Sequence, residues 1–150
     1  MRKIMNYSFL IAICLSLFAF NSIKSPEKDI VGVWSIDESL IPKTVEKILA
    51  RVEKSNPEQA AALKQQKELI AAGVSATTLE FKENKEYILT TGFDNIPRIG
   101  SWDISIKDST LIRTDSKGEI SKGRLIEIND LRFRIIKSKT NDTITYNKIK

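Results

Sequence analysis

The chain of 150 residues contains no histidine and a single cysteine, Cys14, which sits inside an N-terminal apolar run. Beyond that run neither residue type occurs. Disulfides, thiol catalysis, a Ser-His-Asp triad and zinc sites built from Cys or His are therefore excluded from the rest of the chain. Its stability must come from a packed core, and the roughly 125 residues after an export signal suffice for one such core. Charge of one sign is also scarce. Lys and Arg number 24 against 19 Asp and Glu, for a net +5 that includes Arg2 and Lys3. The basic residues alternate with apolar ones rather than forming a block, so a nucleic-acid partner is not expected.

There is one long hydrophobic run. Tyr7 to Phe20 carries no charge and follows Arg2 and Lys3, the pattern of a signal peptide, and it is short for a membrane span. Residues 1–22 are read as the signal, with the mature chain starting between residues 20 and 26 and residues 23–29 as a polar leader. The destination is periplasmic, extracellular or the outer surface. Lipid attachment at Cys14 is disfavoured, because Ile13 precedes it and the apolar run continues to Phe20.

A five-residue pattern occurs twice: Gly32-Val33-Trp34-Ser35-Ile36 and Gly100-Ser101-Trp102-Asp103-Ile104. The spacing is a strand's period of two, so Gly, Trp and Ile share a face. Glycine allows close backbone approach or a bend, and the indole fills the space that results. Both tryptophans of the chain lie in this frame, which suits a small closed sheet.

Ile30 to Ile36 reads as the first strand, with Val31 and Val33 making its outer face apolar and in need of cover. Val45, Ile48, Leu49 and Val52 then fall at i, i+3, i+4 and i+7, the stripe of an amphipathic helix, with Pro42 in its first turn. Asn56 and Pro57 open a second helix that Gly73 ends, so residues 41–73 form a helical hairpin. Period two then persists through Thr77 to Lys82, Tyr87 to Thr91, Arg98 to Ile106, Leu111 to Thr114, Ile120 to Ile128, Leu131 to Lys137 and Ile144 to Ile149. Tight turns join most of these and impose antiparallel neighbours. The expected fold is mainly β: an eight-stranded antiparallel up-and-down barrel over residues 30–150, with a two-helix insertion after the first strand.

An eight-stranded meander opening on G-x-W resembles the lipocalin-like superfamily, particularly the short lipocalin-like domains of secreted bacterial proteins. The resemblance covers residues 30–150. It implies that Trp34 closes one end of the barrel and packs against a basic side chain near the last strands, Lys148 or Arg134.

Eight strands enclose an interior that side chains can just fill or that holds one small ligand. The inward apolar set is expected to be Trp34, Ile36, Phe81, Trp102, Ile104, Ile126, Ile128, Phe133, Ile135 and Tyr146. Unbroken alternation from Ile126 and Ile128 turns Arg124 inward, and alternation from Ile144 and Tyr146 does the same for Lys148. The candidate ligand-binding residues are therefore Trp34, Phe81, Trp102, Arg124, Phe133, Tyr146 and Lys148, with the two cations facing a ligand carboxylate. Arg132 and Arg134 alternate against apolar neighbours and read as the solvated face. Asp103 and Glu127 also fall opposite the apolar face, which argues against a carboxylate pair for glycoside hydrolysis. No catalytic residue, metal site or cofactor is expected. The leading reading is a non-enzymatic exported barrel that binds a small apolar or acidic amphipathic ligand. The alternative is an envelope or extracellular interaction module with a filled barrel, which docks on a partner protein through its helical hairpin. Nothing in the pattern speaks to oligomeric state.

Overall fold

A computed structural model of the chain describes residues 25–149. The apolar run Tyr7 to Phe20, with Cys14, lies outside the described residues. In chain order the elements are α1 (Pro26–Ile30), β1 (Gly32–Ile36), a 3-10 turn (Glu38–Leu40), α2 (Ile41–Ser55), α3 (Pro57–Lys64), α4 (Lys67–Ser75), β2 (Thr78–Phe81), β3 (Glu86–Thr90), β4 (Pro97–Ser105), β5 (Thr110–Asp115), β6 (Ile120–Ile128), β7 (Arg132–Lys137) and β8 (Thr143–Lys148). All neighbours pair antiparallel in sequence order. β1 pairs with both β2 and β8, so the sheet closes into the expected eight-stranded barrel.

One end of the barrel is packed solid. Trp34, Phe81 and Phe133 are buried at its centre. The Phe133 ring meets Trp34 edge-on at 4.8 Å and stacks on Tyr146 at 4.7 Å, while Phe81 meets Trp102 edge-on at 5.6 Å. Such offset and edge-on contacts suit the ring quadrupoles and add to the burial of area. The glycines of the repeated pattern supply room. Gly32 has φ of 138°, a value open to glycine but rarely to other residues. A Cβ on Gly100 would lie 2.4 Å from the Thr114 carbonyl oxygen and 2.6 Å from the Tyr87 ring.

Three sequence expectations need correction here. Ile30 is the end of a short helix, α1, and strand β1 begins at Gly32. The leader is thus structured: Ile30 is fully buried in the barrel core, and its carbonyl accepts a hydrogen bond from Trp34 Nε1 at 2.7 Å. Second, the hairpin's second helix is two helices that break at Gln65 and Gln66. Asn56 does cap α3, accepting from the Gln59 amide at 3.1 Å, with Pro57 following it. Gly73 does not end α4, which runs on to Ser75. It is small because the Phe93 ring lies on it, where a Cβ would come within 2.5 Å of Cε1.

Third, α2, whose apolar stripe follows β1 in sequence, covers an end of the barrel rather than the outer face of β1. The apolar stripe of α2 is spent on α4: Val45 and Leu49 pack with Ile70 and Val74, and Ile36 joins them from the barrel. Val31 leans on the barrel core instead. The helical layer is therefore a roof over the end opposite Trp34 and Ile30.

Candidate functional site

Between the roof and the open barrel end lies a cavity of about 360 Å³, within the usual range for small-ligand sites. Leu79, Leu89, Ile144 and Tyr146 line it from strands β2, β3 and β8, and Leu40, Ile48, Val74 and Phe93 from the roof side. Each arrives by simple periodicity. Leu79 precedes the inward Phe81 by two residues, Leu89 follows the inward Tyr87 by two, and Ile48 lies three and four residues from Val45 and Val52.

The charged lining is one-sided. Lys43, Lys47 and Arg51 stand at i, i+4 and i+8 on α2, which places them along one edge of the helix. Arg113 reaches the cavity from β5 and Lys137 from β7, each two residues beyond a buried inward residue, Leu111 and Ile135. One carboxylate, Asp142, faces these five cations, and it is paired with Lys47. Among the described residues, Lys43, Arg51, Arg113 and Lys137 form no ion pair. Arg113 instead lies with its Cζ 5.6 Å from the centroid of the Tyr87 ring.

The electrostatics follow from this crowding. Loss of hydration, then the charges of Arg113, Arg51 and Lys47, hold the Lys137 ammonium below its ordinary 10.5, with Asp142 opposing them. The hydrogen bond from Lys47, and after it one from Thr140, keeps the Asp142 carboxyl below its usual 3.8. Burial pushes the Tyr146 phenol above its usual 10.0. A second, more open cleft of about 510 Å³ shares Leu89 and Arg113 with the first and is lined further by Asp115, Glu119, Ser121 and Lys139. Arg113 thus stands where the roofed cavity meets a lateral opening.

Of the candidate residues read from the sequence, Tyr146 alone lines the cavity. Trp34, Phe81, Trp102 and Phe133 are buried as expected, but in the packed end, where they touch one another. Lys148 lies over the Trp34 ring, its Nζ 5.1 Å from the centroid, and does not line the cavity. Arg124 is a correction: it is exposed on the outer surface. The register of β6 against β7 slips between Leu125 and Glu127, which leaves Ile126 as the extra residue of a bulge. Ile126 is accordingly 42% exposed rather than inward, and Leu125 takes the inward place. Ile128, beyond the bulge, does pack on the core. Arg132 and Arg134 lie outside and pair with Glu127.

The cations that do face the cavity were missed, although signals for them existed. The inward parity of Phe133 and Ile135 extends to Lys137. On α2, the 43-47-51 spacing sets a basic edge beside the apolar stripe. Among the described residues no group of three or more acidic, His or Cys side chains gathers to hold a metal, and no helix is long and apolar enough to cross a membrane.

No protein-family model and no curated protein matches the chain. Among solved structures, an NMR structure of a protein from Bacteroides uniformis ATCC 8492 is similar at a TM-score of 0.44 and 16% identity, over 49% of this chain and 73% of that one. A likeness of that size carries no argument about function.

Proposed function

We propose that this protein is a non-enzymatic binding protein for a small acidic amphiphile, held between the helical roof and the open end of the barrel. The observation that carries the reading is the lining itself: an apolar cavity of about 360 Å³ bordered by five cations and one already paired carboxylate. An apolar cavity favours a hydrocarbon portion, and cations without ion pairs along its border favour an anion. The N-terminal sequence adds an exported destination to the reading.

The interaction-module reading has less to stand on. Among the described residues, Leu69 is the only large apolar side chain that the helices leave exposed, which is a small foothold for a partner.

Native mass spectrometry of protein purified without detergent tests the proposal. The expected spectrum carries a population heavier than the chain by the mass of a small acidic molecule, lost on organic extraction and restored by adding dodecanoate. A spectrum of bare chain that takes up no added dodecanoate would sink the reading.

A further inference from the structure

Resting on the binding reading above, we infer that the headgroup held at this cavity is a dianion of the phosphate-monoester class rather than a single carboxylate. The Lys47–Asp142 pair is neutral as a unit, which leaves Lys43, Arg51, Arg113 and Lys137 facing the cavity with no ion pair among the described residues. A monocarboxylate offsets one of these four charges and leaves three like charges gathered around the mouth of an apolar cavity. A phosphate monoester brings close to two negative charges above its second ionisation near pH ~6 and three terminal oxygens. Those oxygens suit the Arg51 and Arg113 guanidinium forks and the Lys137 ammonium, which come from three different elements, since arginine binds phosphate through paired N–H groups and lysine as a point charge.

The elements that supply the cations are independent of one another. Arg51 and Lys43 come from α2, Arg113 from β5 and Lys137 from β7, so a bound dianion would tie the roof to both sides of the barrel wall. The Lys137 ammonium is disfavoured first by lost hydration and then by repulsion from Arg113 and Arg51, against the pull of Asp142. An incoming anion reverses that cost.

The test is isothermal titration of the full chain at pH 8 with dodecyl phosphate, dodecanoate, dodecanol and inorganic phosphate, the amphiphiles kept below micelle formation. Dodecyl phosphate is expected to bind about tenfold or more tighter than dodecanoate, as one further charge-assisted contact implies. That ratio should shrink as pH falls through the phosphate's second ionisation near ~6 to about 5.5, where the phosphate is mostly a monoanion and the carboxylate is still mostly ionised. Arg113→Gln and Lys137→Gln should each narrow the ratio, and Arg124→Gln, on the outer surface, should leave it unchanged. Equal binding of dodecanoate and dodecyl phosphate at pH 8 overturns the dianion while leaving the amphiphile cavity standing. Inorganic phosphate binding as tightly as dodecyl phosphate supports the dianion site and overturns the amphiphile reading. Failure of all four probes to bind overturns both.

Discussion

Lys148 holds its ammonium 5.1 Å from the ring centroid of Trp34, its cross-strand partner at the seam where β8 closes on β1. The second copy of the G-x-W frame repeats the arrangement with a different donor: Lys85 sits 4.3 Å over Trp102 and also pairs with Glu27 of α1. The two indoles donate to backbone carbonyls, Trp34 to Ile30 and Trp102 to Lys82 at 3.1 Å. Each tryptophan thus fills core volume and satisfies its one polar group.

Trp34→Ala should therefore cost about 3–5 kcal/mol through the cavity left in a packed site. Lys148→Met should cost only about 0.5–1 kcal/mol, the worth of an exposed cation–π contact, and should leave ligand affinity alone. Urea denaturation gives both numbers. A Trp34→Ala midpoint equal to wild type would contradict the burial of the indole.

Gly100→Ala probes the other half of the frame. The new methyl would meet the Thr114 carbonyl oxygen at 2.4 Å and the Tyr87 ring at 2.6 Å. Neither the β5 backbone nor a buried ring yields easily, so a loss of about 1–3 kcal/mol or more is expected from overpacking. An unchanged thermal midpoint would show that β4 and β5 can separate at this point.

Most of the fold was legible because periodicity and turn chemistry both spoke for it. Strand ends read from the sequence fall within a residue or two of those observed, from Thr77–Lys82 against Thr78–Phe81 to Ile120–Ile128 without change. The site was less legible, for physical reasons that can be named. A bulge breaks the parity on which Arg124 depended, and a single inserted residue gives no signal in a run as uniformly apolar as Leu125-Ile126 beside Ile128. The sequence points to the tryptophans as pocket lining because large aromatics dominate an interior. They dominate the end that is filled, however, and the cavity falls to smaller aliphatic residues at the other end. The placement of the helical roof depends on α2 finding α4, a long-range pairing that the two separate helical patterns leave open.

Lys137 gives the protein a signed alkaline response. Its ammonium is disfavoured in the folded state by lost hydration and by Arg113, Arg51 and Lys47, against the pull of Asp142. Between the lowered folded value and the ordinary 10.5 the unfolded chain binds more protons, so this group adds stability as pH rises through that window. Lys137→Met should be more stable than wild type at neutral pH, and the difference should shrink as pH rises toward 10.5. Thermal midpoints of both proteins across the alkaline range measure it. A variant less stable than wild type at neutral pH would mean that the ammonium has a partner worth more than its crowding costs.

Asp142 responds on the acid side. Its carboxyl is held below 3.8 chiefly by Lys47, so the tie between α2 and the β7–β8 turn is intact above that value and is lost as pH falls through the lowered folded value. Lys47→Met should reduce that acid-side loss, leaving the part due to Thr140, and speed amide exchange in α2 at neutral pH, while the barrel strands stay protected. Exchange in α2 indistinguishable from wild type would show that the roof is held by Val45, Leu49, Ile70 and Val74 alone.

The last prediction separates the outward arginine from the inward one. Arg113 and Arg124 both lie on neighbouring strands, and the registered pairs Thr110↔Arg124 and Arg113↔Ser121 put them three residues apart along the same ladder. Parity sets them on opposite faces of the barrel wall. If an acidic amphiphile occupies the cavity, Arg113→Met removes a charge-assisted contact and should weaken dodecanoate by about ten- to a hundredfold, from roughly 1.5–3 kcal/mol. Methyl dodecanoate has no charge to lose and should bind the variant as it binds wild type. Arg124→Met should leave both ligands unaffected. Displacement of a fluorescent apolar probe is a better readout than the intrinsic tryptophans, because Trp34 and Trp102 do not line the cavity and report on it only through cross-strand neighbours such as Leu79 and Arg113. Equal losses for acid and ester would show that Arg113 shapes the cavity without meeting an anion, and a loss at Arg124 would mean that the ligand sits outside the barrel.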